Sequence, residues 1–136
     1  MGRHVDPKDV SKNSEAAAAA ADRKFRKELS AGTTALALLS ILRSAVEPMY
    51  GYQIAKLMEE DDQKVPLIKH GALYPVLRSL EGNGLLASRV EPSVSGPPRR
   101  YYNITDQGLE ALARWGTIWN RTCRLMDRIL GGALND

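Results

Sequence analysis

At 136 residues, with 43% hydrophobic and 26% charged residues, the chain has the composition of one soluble globular domain, with room for an appended helix that needs a partner. Cys123 is the single cysteine and excludes an intramolecular disulfide. The two distant histidines, His4 and His70, leave no zinc site of ordinary spacing. With no nucleophilic triad, paired carboxylates or phosphate loop in view, the reading is a non-enzyme without metal or cofactor.

Residues 1–14 are polar, contain Pro7 and show no period, the pattern of a disordered arm. From Glu15 to Lys27 a run of alanines favours helix, made basic by Arg23, Lys24, Arg26 and Lys27. The alanine tract lacks the Leu-rich centre of a signal peptide, and no apolar run approaches membrane-spanning length. Met1-Gly2 has Asp6 where a myristoylation signal wants Ser or Thr. A cytoplasmic protein is expected. Gly32 should interrupt the helix, with Thr33 or Thr34 capping a fresh start. Ala35–Ala45 then carries Leu36, Leu38, Leu39, Ile41 and Leu42, apolar on nearly every side, and should form the centre of the domain.

Pro48 ends that segment and Gly51 opens the next. Tyr52, Ile54, Ala55, Leu57 and Met58 give a short helix over 50–60 one apolar face, and Asp61-Asp62 breaks it. A second helix buries Leu73, Val76, Leu77 and Leu80 at helical spacing and leaves Lys69, His70, Tyr74 and Arg78 outside. Pro75 is tolerable there, because the carbonyl it leaves unbonded is that of Gly71, in the first turn. Gly82-Asn83-Gly84 ends the helix. Leu85–Val90 and Arg100–Ile104 read as two antiparallel strands joined by a turn rich in Pro, Gly and Ser. Two small helices followed by a basic ribbon make a winged helix-turn-helix. Charge agrees: residues 63–101 hold six basic against two acidic residues, whereas 47–62 hold one basic against five acidic.

Thr105 should cap a last helix supported by Asp106 and stopped by Gly131-Gly132. Along it Leu109, Leu112, Gly116, Trp119, Cys123, Met126 and Leu130 alternate steps of three and four, an a/d seam for pairing with another helix. Trp115, Ile118, Leu125 and Ile129 widen the apolar stripe beyond what one packing surface needs. Arg114, Arg121, Arg124 and Arg128 occupy the solvated side. The expected fold is therefore mainly α, with a small two-stranded antiparallel wing and a long C-terminal dimerisation helix. Its parts are a disordered arm over 1–14, an N-terminal helix and winged domain over 15–104, the dimerisation helix over 105–131, and a tail over 132–136.

Several spaced motifs carry a family resemblance. They are Tyr50-Gly51-Tyr52-Gln53-Ile54-Ala55, the run Gly71-Ala72-Leu73-Tyr74-Pro75-Val76-Leu77-Arg78-Ser79-Leu80-Glu81, Gly84-Leu85-Leu86, and Gly96-Pro97-Pro98-Arg99-Arg100-Tyr101-Tyr102-Asn103-Ile104-Thr105 with Gly108. In these the stretch from about Lys27 to Leu130 resembles the PadR family of bacterial transcriptional regulators, in the short form with one C-terminal helix. The resemblance implies a homodimer joined through its first and last helices and bound to palindromic DNA. Lys69-His70-Gly71-Ala72 stands where the family often has Ser-Pro-Gly-Thr, so the DNA sequence read here should differ.

On this reading Lys69 and His70 contact phosphate or base edges, Tyr74 bonds phosphate, and Arg78 meets backbone or guanine. Arg99 grips backbone from the wing. Arg100 ranks below it, because alternation along the strand turns it inward. Leu109, Leu112, Trp119, Cys123, Met126 and Leu130 form the dimer interface. In some drug-sensing relatives a tryptophan at the position matching Trp119 sandwiches planar aromatic ligands across the dimer. The resemblance thus implies an effector site at Trp119 with Trp115 and the space left by Gly116. The whole describes a repressor released by an aromatic effector. Two alternatives stand beside it: a winged-helix module whose last helix docks a different protein, and a dimer that binds DNA constitutively around a closed seam.

Overall fold

The computed structural model describes residues 7–59 and 70–132. Among them the chain runs α1 (Pro7–Ser44), β1 (Met49–Tyr50), α2 (Gly51–Met58), α3 (His70–Gly82), β2 (Leu86–Glu91), β3 (Arg99–Ile104) and α4 (Asp106–Leu130). The order helix, helix, hairpin, long helix is the one the sequence predicts.

Three expectations need correction. Residues 7–14 are the opening turns of α1 rather than an irregular arm, and residues 1–6 lie outside the described residues. Helix α1 also runs unbroken through Gly32, so neither Thr33 nor Thr34 caps a new helix. The Thr33 hydroxyl donates back to the Leu29 carbonyl at 2.9 Å, the bond such a residue makes inside a helix. Thr34 is fully buried. A mid-helix glycine costs about 1 kcal/mol relative to alanine, which the alanine-rich turns before it and the packed leucines after it offset. Finally, the sheet has three strands, not two. Its order is β1-β3-β2, all antiparallel, with Tyr50 opposite Tyr101 and Met49 opposite Tyr102.

The core lies where α1 crosses the winged unit. Leu38, Leu39 and Leu42 of α1 meet Ile54 and Ala55 of α2, Leu73, Leu77 and Leu80 of α3, Leu86 and Tyr102 from the sheet, and Ala111 and Leu112 of α4. Burying each such leucine contributes about 1.5–3 kcal/mol. Alternation along β3 sends Tyr102 and Ile104 toward this core and Tyr101 and Arg99 to the outer face, with Tyr50 beside them.

Helix α3 ends in a double backbone cap: Leu85 N–H bonds the Leu80 carbonyl and Gly84 N–H bonds that of Glu81, both at 2.9 Å. Gly84 takes a φ of 77° to close it, a conformation in which a side chain is strained. The Gly84 carbonyl then accepts the Thr105 hydroxyl at 2.7 Å, and the same Thr105 oxygen accepts Gly108 N–H at 3.0 Å as the N-cap of α4. Thr105 N–H bonds Leu85 C=O at 3.1 Å. One residue thus ties the end of α3 to the start of α4. The approach is so close that a Cβ on Gly108 would lie 2.1 Å from the Leu85 carbonyl oxygen.

Because that neighbour is backbone, Gly108→Ala is expected to cost at least about 1–3 kcal/mol in urea unfolding. Gly116→Ala, whose Cβ would meet nothing within 4 Å, should leave the single-chain fold unchanged or slightly more stable.

Candidate nucleic-acid interface

Where α2 begins, α3 crosses and the wing rises, the described residues form an open cleft of about 410 Å³ lined by Tyr50, Gly51, Tyr52, Tyr74, Arg78, Pro98, Arg99, Arg100 and Tyr102. Each wall has a local cause. Tyr74 stands on the outer side of α3, 47% exposed, and its ring lies flush on Gly51, where a Cβ would come within 2.6 Å of the ring. The glycine at the foot of α2 is therefore what lets the α3 tyrosine lie down. Arg78, one turn further along α3, is exposed, its Nε at 3.5 Å from the Tyr74 carbonyl. His70 stands at the first position of α3, while Lys69 lies outside the described residues.

The wing arginines divide as alternation predicts. Arg99 stands with its guanidinium 4.5 Å from the centre of the Tyr50 ring, a cation–π contact. Arg100, on the face shared with Tyr102, donates to the Ser88 hydroxyl at 2.9 Å, and Ser88 in turn donates to Glu81 of α3. Arg100 is thus tied through Ser88 to α3, whereas Arg99 lies over a ring. Burial raises the Tyr102 hydroxyl above its ordinary pKa of 10.0, and the nearby Glu81 carboxylate pushes the same way against Arg100 and Arg78.

A second concavity of about 420 Å³ lies between α1 and α4, lined by Glu28, Leu29, Gly32, Thr33, Ala35, Leu36, Trp115, Ile118, Trp119 and Thr122. Both tryptophans line it; Gly116 does not, and Gly32 of α1 supplies the open space instead. Of the seam, Leu112 is only 8% exposed and belongs to the protein's own core. It therefore leaves the expected dimer interface. Leu109, Trp119, Met126 and Leu130 remain open, with Trp119 at 41% and Leu130 at 79% exposure, and Cys123 is half-buried. Among the described residues no group of His, Cys, Asp and Glu is placed to hold a metal ion, and no helix is long and apolar enough to cross a membrane.

The sequence reading did not assign Tyr50 and Tyr52 to this site, and it set Tyr52 and Leu57 on the apolar face of α2, where the structure leaves both exposed. The Tyr50 and Tyr52 rings stack at 6.5 Å, and Tyr101 meets Tyr50 edge-on at 5.5 Å. The signal available in advance was the Tyr50-Gly51-Tyr52 motif itself; what hid its meaning was a two-residue strand too short to show alternation.

A helix exposing tyrosine and arginine beside a basic wing defines a winged helix-turn-helix DNA-binding protein. Residues 38–114, more than half of the chain, match the transcriptional regulator PadR-like family, and the chain belongs to that family of non-enzymatic DNA-binding regulators. Among solved structures it is similar to a PadR family transcriptional regulator from Eggerthella lenta, at 37% identity over 84% of this chain and 96% of that one, with a TM-score of 0.67. A PadR family transcription regulator from Clostridium difficile R20291 is 30% identical over 71% of this chain and 97% of that one, with a TM-score of 0.58. An HTH-type transcriptional regulator from Methanothermobacter thermautotrophicus is 36% identical over 66 residues, 44% of this chain and 49% of the relative, so the chain spans about half the length of that curated relative.

The Tyr102 hydroxyl makes stability depend on pH at the alkaline end. Below pH 10.0, its unfolded value, it is neutral in both states. As pH rises through 10.0 the unfolded chain ionises first, so stability falls until the raised folded value is passed. Urea unfolding between about pH 9 and 11 should show this loss in the wild type and a smaller one in Tyr102→Phe.

Proposed function

We propose that the protein is a homodimeric, sequence-specific repressor whose operator is a palindrome and whose release follows binding of a planar aromatic molecule beside Trp119 and Trp115. The observation that carries the dimer is the outer half of α4, where Ile118, Trp119, Leu125, Met126, Ile129 and Leu130 are all exposed on one chain. So continuous an apolar surface is a place for a partner. A second copy supplies the same seam with two-fold symmetry.

DNA is bound by α3 in the major groove and by the wing on the flanking backbone. Tyr74, Arg78 and Arg99 share one cleft, which supports phosphate and base contacts from this side. Lys69 and His70 precede them in sequence and extend the same basic run. Arg100 contributes charge while bonded to Ser88.

The effector reading rests on the apolar groove with its two indole walls. Release follows from geometry, because half-site spacing fixes the separation of the two recognition helices. The Thr105 link between α3 and α4 carries a shift at the α4 seam to the recognition helix, and so couples effector to operator.

Selection of bound duplexes from a random library at about 0.15 M salt should enrich a two-fold-symmetric site. Recovery of no motif, with only salt-sensitive retention, would sink the reading and favour a module that docks another protein. Met126→Asp should turn the dimer into a monomer in sedimentation and abolish binding to the full palindrome. Planar aromatics should quench tryptophan fluorescence and lower operator affinity; quenching by none of them leaves a constitutive DNA-binding dimer. Gly51→Ala should lift Tyr74 off α2, weakening operator binding by about two- to tenfold, the size of one lost hydrogen bond, with little change in melting temperature.

A further inference from the structure

We infer that Tyr50 is a positioning residue for DNA binding, its ring holding the Arg99 guanidinium in place for the phosphate backbone. The inference rests on the backbone-gripping role proposed above for Arg99. Arg99 opens β3 at the exposed end of the wing, where a free arginine samples many rotamers and loses that freedom on binding. Here the guanidinium instead lies 4.5 Å from the Tyr50 ring centre. A cation drawn onto a ring face keeps the N–H donors at the edge of its plane, and those edges are what a phosphate receives.

The ring is itself fixed. Strand β1 sets Tyr50 opposite Tyr101, on the outer face that Arg99 shares. Tyr101 closes on it edge-on at 5.5 Å, Tyr52 stacks at 6.5 Å, and Lys56 lies 5.6 Å over the Tyr52 ring. The Tyr50 N–H donates to Gln53 Oε1 at 3.1 Å, which anchors its backbone at the start of α2. The acid that would compete is engaged elsewhere. Glu91 stands directly across the ladder from Arg99, yet its carboxylate pairs with Arg89 at 2.9 Å. A two-residue strand thereby links the wing's cation to the helix-turn-helix instead of leaving it on a loose ribbon.

The test is a double-mutant cycle of Tyr50→Leu and Arg99→Ala, with Tyr50→Phe alongside, read as affinity for the selected operator across a salt series. Tyr50→Leu is expected to weaken binding by about two- to fivefold and to flatten the salt dependence toward that of Arg99→Ala. The double variant should bind no more weakly than Arg99→Ala alone, and Tyr50→Phe should match the wild type. Equal losses in both backgrounds, or a Tyr50→Phe as weak as Tyr50→Leu, would overturn the inference, since the ring would then act without Arg99 or through its hydroxyl. Replacing Tyr50 by phenylalanine and then by trifluorophenylalanine keeps the shape and drains the ring's negative face, so only a cation–π role predicts a graded loss. That pair decides the matter even where Tyr50→Leu fails to fold. An Arg99→Ala variant with unchanged affinity and salt slope would instead strike down the wing contact itself, and the inference with it.

Discussion

The Thr105 hydroxyl sits where the two halves of the molecule meet. It donates to the carbonyl that finishes α3 and accepts from the amide that starts α4. Neither bond is strong alone, each contributing about 0.5–1.5 kcal/mol. Their value is geometric. The α3 cap can close only because Gly84 takes a positive φ, and α4 can approach only because Gly108 has no side chain. Two glycines and one threonine therefore set the angle between α3, the helix proposed to meet DNA, and α4, which offers the apolar seam. Where Gly108 passes Leu85 the approach is backbone against backbone, and no side-chain rotation can relieve it.

From that joint the rest of the architecture follows in two directions. Inward, Ala111 and Leu112 carry the first turns of α4 into the core built on Leu38, Leu39 and Leu42 of α1. Outward, α4 leaves the domain and its apolar stripe emerges with it. The change takes place within a few residues: Leu112 is buried, Trp115 is partly covered, and Ile118 is 61% exposed. A single heptad pattern thus serves two purposes along its length. The sequence pattern shows one continuous seam, because periodicity registers which side of a helix is apolar and says nothing about which subunit covers it.

That distinction explains which features were legible in advance. The end of α3 and both ends of α4 were, since they depend on local chemistry: Thr105 caps α4, Gly84 closes α3, and Gly132, with a φ of 78°, follows the end of α4. The separation of Arg100 from Arg99 onto the strand face of Tyr102 was legible too, although Arg100 stays exposed there, because a strand has a period of two whatever surrounds it. What escaped notice depended on residues far apart in sequence. Met49 and Tyr50 become a strand only because Tyr101 and Tyr102 lie alongside. Gly32 stays inside α1 because of the packing on its C-terminal side, not because of its own preference. Leu112 is claimed by the protein's own core, where α4 packs on α1, which a heptad register cannot foresee. The aromatic ladder was hidden for the same reason.

Helix α1 crosses the boundary of the domain in the opposite sense. Its C-terminal turns are sealed in the core, whereas from Pro7 to Lys24 every residue is exposed. The free energy of opening should therefore vary steeply along one unbroken rod. Amides near Leu38 are released only when the whole domain unfolds, while those in the alanine tract open by fraying from the end, at the small cost of a solvated helix. In a single chain, then, α1 is a thermodynamic gradient as much as a structural element: one end reports global stability, and the other responds to whatever settles against it.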